Sequence, residues 1–261
     1  MSLFTTVRGY VVTTGDTAFL DHTAGRHTVR EWMRFFAIRW QSFPTPGVEG
    51  LADYGGFAGD FLECVSSYVH AVPALHASNA WMMREVALLT SNATRAAQLT
   101  ALAKHVAAAT QDHCYAKGQG FWRSIYPGGR QVDVRTVVDF QAVSKWMLDD
   151  VTPTQRSEMA DFFMRELNTP GWPIALSRSD PLGYVDRPDH GTTGSYASWP
   201  PLAFEGLARL ESSFANATGI IVAAASTARQ GPFGQAQAVQ VVGPPRGQDA
   251  TPFKSTRGAT R

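Results

Sequence analysis

Residues 29–44, VREWMRFFAIRWQSFP, decide the fold class. Val29, Trp32, Met33, Phe36, Ala37, Trp40 and Phe43 recur there at i, i+3, i+4 and i+7, and Pro44 ends the run. That period marks one buried helix face. Working outward, Phe61, Leu62, Val65, Tyr68, Val69 and Val72 predict a second helix, stopped by Pro73. A third covers Leu75 to Leu89, and a fourth is marked by Leu99, Leu102, Ala103, Val106 and Ala107. Thr152-Pro153 is an N-cap followed by proline at the first helical position, with Met159, Phe162, Phe163 and Leu167 on the face behind it. Leu202 to Leu210 and Ile220 to Ala225 complete the helical runs. The best strand pattern is QVDVRTVV at 131–138, which reads equally as an extended loop. The chain is expected to be all-α.

Three segments share one plan, an apolar helix end, a short polar turn and an apolar restart: Tyr10 to Leu20, Ala87 to Leu99 and Leu207 to Ile220. Helical hairpins that cannot bury their faces alone pack side by side. The other connections are long and polar-aromatic, at Pro44 to Gly59, Tyr115 to Asp139 and Asn168 to Pro201. Their recurrence predicts loops gathered at one end of the helical array, where function concentrates. From Gly243 the chain is rich in Gly, Pro, Gln and Arg without periodicity. A folded domain over 1–242 and a disordered tail over 243–261 are therefore expected.

Composition excludes several classes. With 44% hydrophobic and 17% charged residues the chain reads as soluble and globular. Its 23 basic and 22 acidic residues are interspersed, which argues against a nucleic-acid partner, since that needs a clustered basic face. No apolar run approaches the roughly 18 to 20 residues of a membrane span, so no membrane partner is expected. MSLFTTVRGYVVTTGD lacks the pattern of a signal peptide, which leaves a cytoplasmic location by default. Oligomeric state is not legible. Cys64 and Cys114 are the only cysteines, and no Cys/His spacing suggests a metal; His70 and His76 lie across Pro73, which breaks a helix-face pair. Gly118-Gln119-Gly120 and Gly128-Gly129 lack the strand and helix of a dinucleotide fingerprint. No cofactor is expected.

The stretch from Trp172 to Trp199 sets Asp180, Asp186, Arg187, Asp189 and His190 among Trp172, Tyr184, Tyr196 and Trp199. Carboxylates between flat aromatic faces suit a sugar, whose apolar face stacks on rings while acids bind its hydroxyls. The bland alternative is a loop that caps the helices and pairs Arg187 with Asp189.

Tyr10-x-x-x-Thr14-Gly15-Asp16-x-x-x-Leu20, Asp53-Tyr54-Gly55-Gly56, Leu62-Glu63-Cys64-Val65-x-x-Tyr68-Val69-His70 and Arg187-Pro188-Asp189-His190-Gly191 running into Trp199-Pro200 occur in that order. Together they resemble the six-hairpin, (α/α)6-barrel glycosidase superfamily over roughly residues 3 to 240. The resemblance implies a toroid of paired helices with a carbohydrate pocket built by loops. A closed toroid needs a longer chain, and about eight helices are legible here, so part of a barrel is expected. Members commonly take a second catalytic carboxylate from near the barrel's end. After Glu211 this chain has only Asp249, and Arg229-Gln230-Gly231-Pro232 stands where a late acid would be sought.

Hydrolysis by the common route needs one carboxyl of raised pKa as acid and a second to activate water or attack carbon. Asp139, flanked by apolar residues in VRTVVDF, fits the acid; its bland role is a helix cap. Asp53 and Asp189 are the candidates for base or sugar contact. Tyr54, Glu63, Trp122, Trp172, Arg187, His190, Tyr196 and Trp199 are candidate sugar-binding residues. The expected function is hydrolysis of the O-glycosidic bonds of an oligosaccharide or glycoside, without metal. The alternatives are an inactive carbohydrate-binding remnant, or another α/α-toroid sugar enzyme such as an epimerase or a polysaccharide lyase.

Overall fold

The computed structural model describes residues 2–56, 61–62, 65–169, 173–183, 191–196, 199–210, 218–219, 221–222, 238–241 and 250–252. Seven α-helices lie among them: α1 (Ser2–Thr14), α2 (Val29–Ile38), α3 (Pro73–Leu89), α4 (Ala93–Cys114), α5 (Val137–Trp146), α6 (Pro153–Phe162) and α7 (Trp199–Leu210). The strands are short: β1 (Thr23–Ala24), β2 (His27–Thr28), β3 (Arg123–Tyr126), β4 (Arg130–Asp133), β5 (Gly194–Tyr196), β6 (Ala238–Val241) and β7 (Ala250–Pro252). β1 pairs with β2, β3 with β4, and β6 lies between β5 and β7, all antiparallel. The all-α expectation holds. The expected tail falls mostly outside the described residues, apart from β7.

Local chemistry sets the helix starts. Thr28 and Glu31 form a reciprocal capping box at α2, and Thr152 and Gln155 form another at α6, with Pro153 behind it. Asn92 caps α4 by accepting from Arg95 N at 2.9 Å. Each cap satisfies a backbone N–H that the helix leaves unpaired. Thr152→Ala is expected to cost about 1 kcal/mol, read as a lower urea midpoint at unchanged slope.

Odd-numbered helices form one parallel layer. Phe4 meets Trp81 edge-on at 5.3 Å, and four residues further along both helices Arg8 pairs with Glu85 at 2.9 Å, so α1 runs beside α3. Asp139 contacts Ala74 N, and seven residues on in each helix Trp146 stacks on Trp81 at 5.8 Å, so α3 runs beside α5. Gln141 donates to Trp199 O and Lys145 pairs with Glu205, so α5 runs beside α7. α4 turns back from α3 through Thr90–Asn92 and covers the layer with the stripe Leu99, Ala103, Val106, Ala107, Thr110 and Cys114. α3 and α5 are buried nearly all round, as the inner helices of a two-layer array must be.

Parallel running fixes where the connections go. Chain enters α3, α5 and α7 through long segments, whereas α3 and α5 leave through the short turns 90–92 and 147–152. The described parts of these segments therefore gather at the N-terminal end of the layer and are laced together there. Ala71 and Ile125 exchange backbone bonds of 3.1 and 2.9 Å; Ser177 N donates to Arg135 O, Val137 N to Ala175 O, and Ala175 N to Gly194 O.

Several expectations need correction. The helix expected over residues 61–72 is absent from its described residues, which form turns. Val65, Tyr68, Val69 and Val72 are buried from an irregular path, so the apolar period recorded burial rather than helix. Pro73 opens α3 instead of stopping a helix, because its missing N–H costs nothing at the first position, and Val72 before it is extended. The strand in QVDVRTVV ends at Asp133, since Arg135–Val137 docks on 175–177 and Thr136 caps α5 by accepting from Val138 N at 3.2 Å. In the run 29–43, Met33, Ala37 and Trp40 are buried, but Phe36 is 37% and Phe43 38% exposed. The helix ends at Ile38, and a 3-10 turn over Arg39–Ser42 rotates the face. Of the three repeated hairpin turns, 87–99 has the expected form. In 10–20 the restart is a 3-10 turn, and most of 207–220 beyond Leu210 lies outside the described residues.

Candidate functional site

Asp53 lies where the chain doubles back beside α3: its N–H donates to Pro44 O at 2.7 Å, and the neighbouring Tyr54 packs on His76 of α3. Its Oδ1 accepts Gly55 N at 2.8 Å, closing a turn that Gly55 completes at φ 98°. The same oxygen meets His70 Nδ1 at 2.9 Å. Backbone bonds hold the two together: Tyr54 N donates to His70 O at 3.3 Å and His70 N to Gly55 O at 2.7 Å. The Asp53 side chain is 11% exposed and that of His70 20%, so the pair sits just below the surface. Tyr126 lies against the His70 ring at 4.6 Å, its hydroxyl donating to Ser67 O at 3.0 Å.

Tyr54, next in sequence, points inward. Phe43, Phe61 and His76 surround its ring, and its hydroxyl accepts from Asn79 Nδ2. Burial raises the Tyr54 phenol above its ordinary range, only partly offset by Asn79. The His76 side chain is fully buried with no hydrogen-bond partner for either ring nitrogen among the described residues, and burial pushes it down to about 3. At neutral pH it is an uncharged packing ring.

Asp139 occupies the first turn of α5 and is 1% exposed. Its Oδ1 accepts from Tyr68 Oη at 2.6 Å and from Ala74 N at 2.9 Å, the latter an unpaired amide in the first turn of α3. Burial drives its carboxyl up to about 7 against those two bonds, which favour the ionised form. Oδ2 is buried with no partner among the described residues. Asp139 thus has the raised pKa of an acid together with the geometry of a cap joining α5, α3 and the Tyr68 loop.

The remaining candidates divide. Trp122 is 1% exposed and packs on Tyr115 at 4.9 Å, which makes it a core ring rather than a stacking platform. Trp199 opens α7, half-buried, with its carbonyl tied to Gln141. Tyr196 is placed as the last residue of β5, its side chain outside the description. Glu63, Trp172, Arg187, Asp189 and His190 lie outside the described residues. From the same stretch Asp180 is buried and structural: it accepts from Arg135 N at 2.7 Å and Leu182 N at 2.9 Å. Nearby, Arg135 grips both Glu166 oxygens at 3.1 and 3.0 Å, and Ser177 donates to Glu166 at 2.7 Å. Burial opposes the Glu166 charge, but those bonds hold its carboxyl below the usual range.

Sequence reasoning missed His70, Tyr68 and Tyr126 as members of this cluster. The available signal was the motif Tyr68-Val69-His70 following Asp53-Tyr54-Gly55-Gly56; the positive φ of His70, 65°, is not readable from sequence. Among the described residues no group of three or more His, Cys, Asp or Glu side chains is placed to hold a metal ion, and no helix is long and apolar enough to cross a membrane.

A parallel layer of helices, a second layer returning between them and long loops at one end define an α/α fold of helical hairpins. Solved structures similar to the chain include these two. A rhamnosidase from Klebsiella oxytoca with rhamnose bound is similar over 84% of this chain and 36% of its own, at 15% identity and a TM-score of 0.55. Neutral trehalase Nth1 from Saccharomyces cerevisiae is similar over 52% of this chain and 27% of its own, at 16% identity and a TM-score of 0.44. The chain thus spans about a third of the length of the one and a quarter of the other. At these identities the likeness to the rhamnosidase establishes the α/α-toroid type of fold. No family model and no curated protein sequence matches the chain.

Proposed function

We propose that this chain binds a glycoside at the loop end of its parallel layer and acts in hydrolysis of the O-glycosidic bond. The supporting observation is the convergence, at one end of an α/α-toroid fold, of the segments carrying Asp53, His70, Tyr126 and Asp139. Asp139, held near pKa 7 by burial, is the acid in this reading, and the Asp53–His70 pair is the second group, which binds a hydroxyl or activates water. Asp189, Arg187, His190, Glu63, Trp172, Tyr196 and Trp199 complete the sugar-contacting set. The rhamnose bound by the similar rhamnosidase makes a deoxyhexoside the first substrate to try.

One observation favours a second reading, binding without turnover. A proton donor must reach the glycosidic oxygen, and Asp139 is 1% exposed with Oδ1 committed to Tyr68 and Ala74. Release of free sugar from a panel of aryl and natural glycosides separates the two. Turnover that falls by about a hundredfold or more in Asp139→Asn, with folding intact, is expected for the acid role. Turnover unchanged by that substitution removes Asp139 as acid. A folded wild type that binds sugar without releasing any selects the second reading.

A further inference from the structure

We propose that His70, rather than Asp53, is the group that meets the sugar, and that Asp53 is a positioning residue that sets the His70 tautomer. The inference rests on the glycoside reading above and names the ligand contact within it. Asp53 Oδ1 already receives the Gly55 amide proton at 2.8 Å, so it faces His70 Nδ1 as an acceptor, at 2.9 Å. Nδ1 therefore carries the hydrogen, and in the neutral ring Nε2 keeps its lone pair. The hydrogen bond of the His70 side chain among the described residues is the one from Nδ1, which leaves Nε2 without a partner there.

The ring is fixed rather than free. Its backbone holds φ 65°, a region costly for a residue with a Cβ, and the bonds Tyr54 N to His70 O and His70 N to Gly55 O keep it there. Tyr126 covers one side of the ring at 4.6 Å. Next to the free nitrogen stands Gly56, where an added Cβ would lie 3.6 Å from both Nε2 and Cε1. A rigid acceptor nitrogen beside an aromatic ring, with no side chain at Gly56 to cover it, suits a hydroxyl donor on a neutral polyhydroxylated ligand. Such a contact lets the ligand hydroxyl donate to Nε2 without leaving a buried charge unpaired.

Asparagine separates the two ring nitrogens chemically. In His70→Asn the side-chain amide takes the place of Nδ1 and can still donate to Asp53, asparagine tolerates the left-handed backbone, and of the two ring nitrogens only Nε2 is lost, along with the ring face against Tyr126. The measurement is NMR titration of the histidine-15N-labelled full chain, and of His70→Asn, with rhamnose and with methyl glycosides of glucose, galactose and mannose. The expected result is an Nδ1–H tautomer in the free protein and movement of the His70 Nε2 resonance on sugar addition. His70→Asn should show near wild-type stability, with sugar affinity lower by about tenfold or more. A free protein with the Nε2–H tautomer overturns the proposal without any ligand. Sugar that shifts the loop-end amides while Nε2 stays still, or that binds His70→Asn as it binds wild type, also overturns it and leaves the glycoside reading standing. If no sugar in the panel moves any loop-end resonance, the glycoside reading falls and this inference falls with it.

Discussion

Gly120→Ala is expected to prevent folding, or to leave so little stability that the chain unfolds at physiological temperature. Gly120 lies in the loop between α4 and β3 at φ 77°, a conformation that costs an L side chain about 1 kcal/mol or more. The larger effect is steric. An added Cβ would overlap the Glu158 carbonyl and stand 2.9 Å from Met159 N, both main-chain atoms of α6. No rotamer change relieves a clash with backbone, so either the loop or α6 has to move. Moving the loop breaks Ala116 N to Phe121 O, Gly120 N to Ala116 O and the contact of Glu158 with Tyr115 and Gly118 N. Loss of more than about 4 kcal/mol is expected, as for overpacking compounded by backbone strain. Circular dichroism and urea unfolding of the variant read it directly. A variant within about 1 kcal/mol of wild type would mean that this loop is not clamped to α6.

Asp139→Ala is expected to cost about 3 kcal/mol, because two buried donors, Tyr68 Oη and Ala74 N, lose their acceptor together. Asp139→Asn keeps an acceptor for both and should cost less, but it changes the pH dependence. Burial raises the Asp139 carboxyl from 3.8 to about 7 in the folded chain. The stability contributed by this group is then fully present below about pH 4 and is lost as pH rises to about 7, since ionisation favours the unfolded state. The loss is on the order of 4 kcal/mol at most. Asparagine does not titrate, so the advantage of wild type over Asp139→Asn should be larger at pH 4.5 than at pH 7.5 in matched urea series. An equal difference at both pH values would show that the Asp139 carboxyl is not held in its neutral form by burial.

What the sequence made legible followed from local chemistry. α3, α4 and α7 announced themselves by period, and α6 by its cap-and-proline start. Asp139 drew notice because apolar neighbours at a loop-to-helix junction promise burial, and it is buried there. The 61–72 segment deceived because side chains buried from two sides of an irregular loop mimic a helical stripe. His70 stands in a motif that carries the resemblance, but its role was not legible, for a different reason. Its significance depends on Asp53, 17 residues away, and on a left-handed backbone imposed by neighbouring strands of loop. Neither spacing nor residue type encodes such a contact. Trp122 shows the converse, an aromatic in a promising loop whose ring the core absorbs.

The most direct test of the account is mapping where sugar meets the chain, by amide chemical-shift changes on titration with rhamnose and the methyl glycosides. The expected perturbations cluster on residues 43–56, 68–72, 122–136, 174–183 and 191–196, at the end where chain enters α3, α5 and α7. Perturbations confined to the turns 90–92 and 147–152 at the opposite end, or to the face between α1 and α2, would contradict it.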